Sequence, residues 1–159
     1  MFDWRFLFYI GVYIYLTHAE LERGKIMNRV SELAKKVQKE ANEITGWGFS
    51  LVPQEDAYLV GTSLTKKTKY TINVVFEIRA NAVVINTFIP KCKYDESITK
   101  IALGNLNFPI ECKGEYGKIL IVKSKIPFQI LEINPTIIIK EMMIPLVDAL
   151  TTIIKGGVA

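Results

Sequence analysis

An alternation of apolar and polar residues from Tyr70 to Arg79 constrains the fold of this chain most strongly. Apolar side chains occupy every second position, at Tyr70, Ile72, Val74, Phe76 and Ile78. The positions between them are polar, with the exception of Val75. Because successive side chains of a strand point to opposite faces, this pattern predicts a strand with one buried face and one solvated face.

The residues after this strand predict a hairpin, and hence an antiparallel sheet. Ala80-Asn81 stands where a tight turn is expected, since asparagine tolerates the left-handed backbone region. Residues 82–89 then return as the partner strand. Four further apolar segments bounded by turn residues are predicted as strands, at 47–52, 57–64, 110–113 and 118–126.

Three segments predict helices. In residues 30–44 apolar side chains recur at steps of three and four, which indicates a helix with one apolar face that ends before Gly46. Asp95 is the predicted N-cap of a second helix. Asn134-Pro135 begins a third, long helix, and Pro145 inside it is expected to cause a kink.

The predicted elements occur in the order α-β-β-β-β-α-β-β-α. This order predicts an α+β fold with one antiparallel sheet and with helices on one face of that sheet. No alternation of parallel strands and helices is found, which argues against a dinucleotide-binding fold of the doubly wound class. Composition does not change after Met27, so residues 27–159 are predicted to form a single α+β domain.

Residues 1–26 differ from the rest of the chain. Seven aromatic residues fall within the first fifteen, and an apolar run of eleven residues covers 6–16. A membrane-spanning helix needs about 20 apolar residues, so this run is too short to be one. Three interpretations are open: a peripheral membrane anchor in residues 1–16, a terminal element packed on the domain, or residues upstream of a natural start at Met27. The third is favoured, because codons for Glu22-Arg23-Gly24 can spell a ribosome-binding site.

A resemblance to a known family rests on the segment Leu103-Gly104-Asn105-Leu106-Asn107, the hairpin at 110–126 and the long terminal helix. Together they resemble the YbjN family, whose fold is shared with type III secretion chaperones, over about Arg29 to Lys155. The Asp-Gly turns of that family are replaced by Ala80-Asn81 and Glu115-Tyr116-Gly117, and one short strand is added before the alternating segment. The resemblance implies an α+β fold, frequent dimers and protein binding without catalysis.

Residues that commonly carry catalysis or bind metals are scarce. The chain has one histidine, His18, and two cysteines, Cys92 and Cys112, which do not form a CxxC pair. This composition argues against Ser-His-Asp, Cys-His and zinc sites. Both thiols are predicted to be reduced and core-like, as in a cytoplasmic protein. We therefore predict no catalytic residue, no cofactor-binding residue and no metal ligand, and a protein that is not an enzyme.

Two further patterns have a structural explanation. Residues Gly61 to Thr68 are superficially similar to a phosphate-binding loop, but no glycine precedes Lys66 and the segment leads into a strand. A solvated hairpin connection is predicted instead. The adjacent acids Glu55-Asp56 and Asp95-Glu96 are predicted to serve a turn and a helix cap rather than acid–base chemistry.

Lysines of the second hairpin offer a candidate basic face. They are Lys113, Lys118, Lys123 and Lys125, with Lys91 and Lys93 ahead of the middle helix. The net charge of +4 permits an acidic partner without requiring one. Only Arg29 and Arg79 supply arginine after Met27, and aromatic residues are not interleaved with basic ones as they are in RNA-binding sheets. A solvated lysine face is therefore favoured over a nucleic-acid site.

The terminal helix is apolar on more than one side. Ordinary core is the first interpretation of this breadth. The alternative is a surface that contacts a second subunit or a partner protein. The candidate contact residues are Met142, Met143, Leu146 and Leu150.

The sequence as a whole predicts a cytoplasmic, non-enzymatic protein-binding or chaperone-like module, as a homodimer with an unidentified protein partner. It is expected to bury an apolar segment of that partner against a sheet edge and the apolar helix. One alternative is a nucleic-acid-associated protein that uses the lysine face. Another is a peripheral membrane protein, if residues 1–16 are translated. Abundant isoleucine and lysine with few glutamines are typical of a thermophile or of an AT-rich genome.

Overall fold

Six antiparallel strands form one sheet in the order β1-β2-β3-β4-β6-β5. The structure is a computed structural model, which describes the backbone of residues 4–65 and 69–156 and the side chains of residues 24–65 and 69–155. The strands are β1 (Ser50–Pro53), β2 (Tyr58–Leu64), β3 (Ile72–Ile78), β4 (Val83–Pro90), β5 (Glu111–Glu115) and β6 (Ile119–Ile126). All six begin and end within three residues of the predicted strands.

The helices are α1 (Trp4–Thr45), α2 (Glu96–Gly104), α3 (Phe128–Ile133) and a terminal helix in three consecutive parts: α4 (Pro135–Ile138), a π-helical turn (Ile139–Met143) and α5 (Ile144–Gly156). The predicted α+β class and the predicted order of elements are confirmed, apart from α3. That helix has six residues and no side-chain cap at Pro127, so it carries neither of the sequence signals that predict the other helices.

The helices pack on one face of the sheet and share one apolar core with it. Strands β3 and β4 show the predicted alternation, with every second side chain buried. Phe76 and Ile85 are fully buried neighbours on the inward face, and Val37 of α1 and Leu146 of α5 are buried in the same core. The sheet therefore forms one layer of the molecule, and the helices form a second layer on one of its faces.

Helix α1 is much longer than the helix predicted at 30–44. Its 42 residues correspond to a length of about 63 Å, and it passes through Met27 without a break. Within residues 24–45 the first buried side chain is Val30. The predicted end is confirmed, because Gly46 has a φ of 68° and its N–H donates to a carbonyl of the last turn at 2.9 Å.

Several predictions fall on residues that lie outside the described parts. The side chains of residues 1–23, including His18 and the whole apolar run at 6–16, are among these, so the domain boundary at residue 26 and the natural start stay predictions. In the segment Gly61 to Thr68, which is superficially similar to a phosphate-binding loop, residues 66–68 also lie outside the described parts. Gly61 to Leu64 form the last residues of strand β2.

Both predicted N-caps are confirmed. The Asp95 carboxylate accepts a hydrogen bond from the N–H of Ile98 at 3.0 Å. The side-chain oxygen of Asn134 accepts one from the N–H of Ile137 at 3.2 Å. In each case the polar side chain satisfies a backbone donor that has no partner within the helix.

The turn at Ala80-Asn81 is present, but it does not use the left-handed conformation expected of Asn81. The N–H of Arg79 donates to the carbonyl of Ala82 at 2.9 Å and closes the turn. In the described part of the chain, the one non-glycine residue with a positive φ is Lys91, at 56°. The longer four-residue turn therefore removes the need for a left-handed residue.

Pro145 is preceded by a π-helical turn, at the place where the sequence predicts a kink. The N–H of Ile144 donates to the carbonyl of Ile139, five residues back. Proline lacks an N–H, and its ring crowds the carbonyl four residues before it. A wider turn is one way in which a helix adapts to that crowding.

The two thiols differ in their surroundings. Cys92 is fully buried, as predicted, and burial raises the pKa of its thiol. Cys112 is exposed, so the prediction of a core-like thiol is wrong for this residue. The reason is its position on β5, an edge strand whose five residues are all exposed.

Candidate protein-binding surface

Three of the four candidate partner-contact residues on the terminal helix belong to the core of the chain. Met143, Leu146 and Leu150 have exposures of 0%, 0% and 1%, and Met142 is partly buried against the same core. Helix α5 packs against both α2 and β3, and α4 packs against α1, so the chain itself covers the two apolar sides. The burial of Met143, Leu146 and Leu150 agrees with the first interpretation, ordinary core, and leaves Met142 as the one candidate among the four that is partly exposed.

The candidate basic lysines separate into two groups. Lys118 lies in the turn before β6, and its main-chain carbonyl accepts a hydrogen bond from the N–H of Lys91 at 2.7 Å. Lys123 and Lys125 lie near the other end of β6, and seven residues of strand separate Lys118 from Lys125 by about 24 Å. Lys113 lies on β5 beside Lys123 and Lys125, so three of the four candidate lysines share the outer face and Lys118 lies apart from Lys125.

Carboxylates also neutralise part of these lysines. The Nζ atom of Lys113 lies 3.2 Å from Glu111 Oε1, and that of Lys118 lies 2.7 Å from Glu115 Oε1. The hydrogen bond from Lys113 and its charge lower the pKa of Glu111, and the charges of Lys123 and Lys125 lower it further. The lysines around Glu111 therefore form a mixed-charge cluster rather than a basic patch.

Replacing Lys113 by glutamine is expected to raise the pKa of Glu111 toward its ordinary value. A lowered pKa in the folded state means that this carboxylate contributes stability at neutral pH, and that the contribution is lost as the pH falls through the folded-state pKa. Titration of the Glu111 carboxyl carbon by NMR measures the change. Lys118→Gln is the matched control, because Lys118 pairs with Glu115 at the far end of the hairpin. Equal shifts in the two variants would contradict the assignment.

The face of the sheet opposite the core carries a continuous row of apolar side chains. The described helices that contact the sheet share the core on its other side, so none of the described side chains of a helix covers this outer face. We call the row the apolar band. Its members are Val52 (β1), Leu59 (β2), Val75 (β3), Phe88 (β4), Ile119 and Ile121 (β6). Val52 is 50% exposed and the other five are half-buried.

The register of the strands places the band diagonally across the sheet. Val52 pairs with Leu59, and Phe88 pairs with Ile121. Between these pairs the band moves two residues along the strand direction at each step, from Leu59 to Val75 and from Val75 to Phe88. Val75 is the one residue that breaks the polar pattern of its strand, and its position in the band gives that exception a structural meaning.

A glycine shapes the surface beside the band. A Cβ atom on Gly61 would lie 3.0 Å from Cγ2 of Val75 and 3.1 Å from the carbonyl oxygen of Val74. Glycine thus allows the strands to pair while the Val75 side chain lies over its backbone. The result is a shallow depression of about 360 Å³, lined in part by Gly61, Val75 and Phe88.

The two flanks of the band differ in charge. One flank is uncharged, with Ser50, Ser63 and Asn73, and the Ser63 hydroxyl lies 2.6 Å from Asn73 Oδ1. The other flank carries the charges of Glu77, Lys123 and Lys125, together with Asn86 and with Val84, which pairs with Glu77 and Lys125.

Asn86 occupies a distinctive place on the charged flank. Its Nδ2 donates to Glu77 Oε1 at 3.1 Å, whereas its buried Oδ1 has no hydrogen-bond partner among the described residues. A buried acceptor without a donor costs stability. Asn86 lies beside Val75 and Lys123 in the register, so this cost falls directly next to the apolar band.

Both edges of the sheet are protected against strand addition. Edge strand β1 has four residues and ends at Pro53, which has no N–H to donate. The other edge, β5, exposes the charged side chains of Glu111, Lys113 and Glu115. Short strands, proline and edge charges are the usual means of preventing edge-to-edge association. The predicted use of a sheet edge for partner binding therefore lacks support, whereas the open face gains it.

Comparison with protein-family models, with curated proteins and with solved structures gives no match for this chain. Over the described residues, no helix combines the length and the apolar character needed to cross a bilayer. No group of three or more metal-binding side chains is found in that part of the chain either. The candidate functional site therefore rests on the outer face alone.

Proposed function

We propose that this chain is a non-enzymatic protein-binding module of the chaperone-like kind, and that it binds apolar segments of other proteins through the apolar band. The single observation that carries the proposal is the composition of the open face. The solvated face of an antiparallel sheet is normally polar. Here five neighbouring strands, β1, β2, β3, β4 and β6, each place at least one apolar side chain in a continuous row on that face.

A continuous exposed apolar surface rimmed by polar residues is characteristic of a protein interaction site. The band satisfies this description, since Ser63 and Asn73 border it on one side and Glu77 and Lys123 border it on the other. The band also replaces the terminal helix as the candidate contact surface. The proposal keeps the predicted mode of action, which is burial of an apolar segment without covalent chemistry.

Several polar side chains in the described part of the chain serve the structure itself, which fits a binding role better than a catalytic one. Asp95 and Asn134 cap helices, and Thr87 donates to the carbonyl of Val122 at 2.7 Å within the sheet. Exposed free Cys112 supports the further proposal of a reducing, cytoplasmic compartment, because exposed thiols persist in such compartments. Membership of the YbjN family is likewise a proposal, supported by the element order alone.

Suppression of aggregation tests the proposal. A chemically unfolded reference protein is diluted into buffer that contains the full chain at low concentration, and light scattering is followed with time. We expect the chain to slow the rise in scattering, because the band competes for apolar segments of the unfolded protein. We expect a variant with both Phe88→Thr and Ile121→Thr, called the band variant, to lose most of this effect. Threonine favours strands, so the sheet is preserved.

The matched control replaces two exposed isoleucines on the helical side of the molecule. Ile130 and Ile133 of α3 are 51% and 80% exposed, and both are changed to threonine. This control variant is expected to suppress scattering as well as the natural chain does. Absence of suppression by the natural chain, or equal losses in the band variant and the control variant, would contradict the proposed function.

A further inference from the structure

We infer that the apolar band binds a second copy of this chain, in a face-to-face dimer whose two-fold axis runs along the band. This inference rests on the proposed function, because it takes the open face to be the protein-binding surface, and it names one occupant of that face. Three features of the surface carry it: the angle of the band, the arrangement of charge on its flanks and the size of the face.

The angle of the band selects a favoured packing of two sheets. From Val52 to Ile119 the band crosses four strand spacings and advances six residues, which corresponds to about 19 Å across and about 20 Å along the strands. The band therefore lies at about 45° to the strands. A two-fold axis along it makes the strands of the second copy cross at about 90°, which is one of the two preferred geometries for packed sheets.

The shape of the band agrees with that crossing. Sheets are twisted, so two of them crossed at a right angle stay close along one diagonal and separate toward the other corners. A dimer of this kind needs apolar side chains along the close diagonal and polar side chains at the open corners. The outer face has this distribution with the exception of Val84, since Val75 lies in the middle of the band and Ser63 and Lys123 lie away from it on opposite flanks.

Charge on the flanks is compatible with the same axis. Rotation about the band places the charged flank of one copy over the uncharged flank of the other. Glu77 of one copy then lies over the region of Ser50 in the second copy, and Lys123 lies over the region of Ser63 and Asn73. Like charges are kept apart, so this axis introduces no electrostatic repulsion between the two copies.

The size of the face suits a reversible dimer. Six strands at their usual spacing, with about seven residues each, give a face on the order of 700 Å². A standard interface buries about 800 Å² on each partner. A contact along the band uses only part of the face, so the dimer is expected to be smaller than a standard interface and weak. Because the edges at Pro53 and along β5 are guarded, the open face rather than an edge is the surface for association in the described chain.

Sedimentation equilibrium of the full chain over a range of concentrations tests the inference. We expect a monomer–dimer equilibrium for the natural chain and for the control variant with Ile130→Thr and Ile133→Thr. The band variant is expected to have a dissociation constant raised by about tenfold or more, because it loses apolar burial at the interface. A chain that stays monomeric at every concentration, or a dimer that the band variant does not weaken, overturns the inference.

Cross-linking tests the axis without removing the apolar surface. In a Cys112→Ser background, Val75→Cys places a thiol at the middle of the band, where each copy faces the same residue of the other. A short thiol-specific cross-linker is expected to join two such chains. Lys125→Cys is the matched control, since Lys125 lies on the charged flank far from the axis. Equally efficient cross-linking at position 125 overturns the proposed axis.

The two proposals fail in different ways. If the natural chain is monomeric while the band variant still loses suppression of aggregation, the second copy is wrong as the occupant and the protein-binding role survives. If the band variant matches the natural chain in both sedimentation and scattering, the outer face is not a binding surface and both proposals are wrong.

Discussion

Replacing Phe76 by alanine is expected to lower the free energy of unfolding by about 3–5 kcal/mol. Phe76 lies in the middle of β3 with an exposure of 0%, and its ring centroid lies 6.5 Å from that of Phe49. Alanine removes the ring from a site enclosed by the sheet and the helices. Both the lost apolar contacts and the remaining cavity contribute to the loss, because a packed interior relaxes only partly around a cavity.

Chemical unfolding followed by circular dichroism measures this loss at several protein concentrations. Phe76→Leu is the graded comparison, since leucine fills much of the volume of the ring and is expected to cost less than alanine. A loss for Phe76→Ala no larger than that of an exposed substitution would contradict the placement of Phe76 at the centre of the core. The whole stability of a domain is about 5–15 kcal/mol, so the expected loss is a large part of it.

Replacing Leu146 by alanine is expected to cost about 2–5 kcal/mol of unfolding free energy, with no weakening of self-association. Leu146 was a candidate partner contact in the sequence, but its exposure of 0% places it in the core. The loss should therefore be the same at low and at high protein concentration. A dimer contact would behave in the opposite way, because its loss would grow with concentration.

The comparison variant for Leu146 is Ile133→Ala. Ile133 is 80% exposed on α3, and a change there is expected to alter stability by no more than about 0.5 kcal/mol. Sedimentation of Leu146→Ala below its unfolding midpoint completes the test. A dissociation constant that rises in this variant, together with unchanged stability at low concentration, would return Leu146 to the contact surface.

Local pattern was sufficient for much of the fold. The alternation from Tyr70 to Ile78 identifies a strand because the burial of each side chain depends on its own face of that strand. Asp95 and Asn134 identify helix starts because a cap acts within a few residues. Helix α3 lacks a signal of this kind. The part of α1 that precedes residue 30 has no periodic apolar face that would predict it.

The candidate site depends on information that is not local. Val75 is visible in the sequence as an exception, but its neighbours are set by the register of two other strands, β2 and β4. Chain order alone suggests β5 as the neighbour of β4, whereas the structure places β6 there. Phe88 and Ile121 become adjacent only through that pairing. For the same reason, the burial of Met143 depends on the packing of α2 and the sheet around the terminal helix.

The insertion of β6 between β4 and β5 also orders the folding of the sheet in time. Strands β1 to β4 pair with their neighbours in the chain through short connections. Pairing of β4 with β6 instead closes a loop from residue 91 to residue 118, which contains α2 and β5. Longer loops cost more entropy to close, and non-local pairings form slowly. We therefore expect the four-strand meander to form early and the β5–β6 hairpin to dock late, as the step that completes the six-stranded sheet.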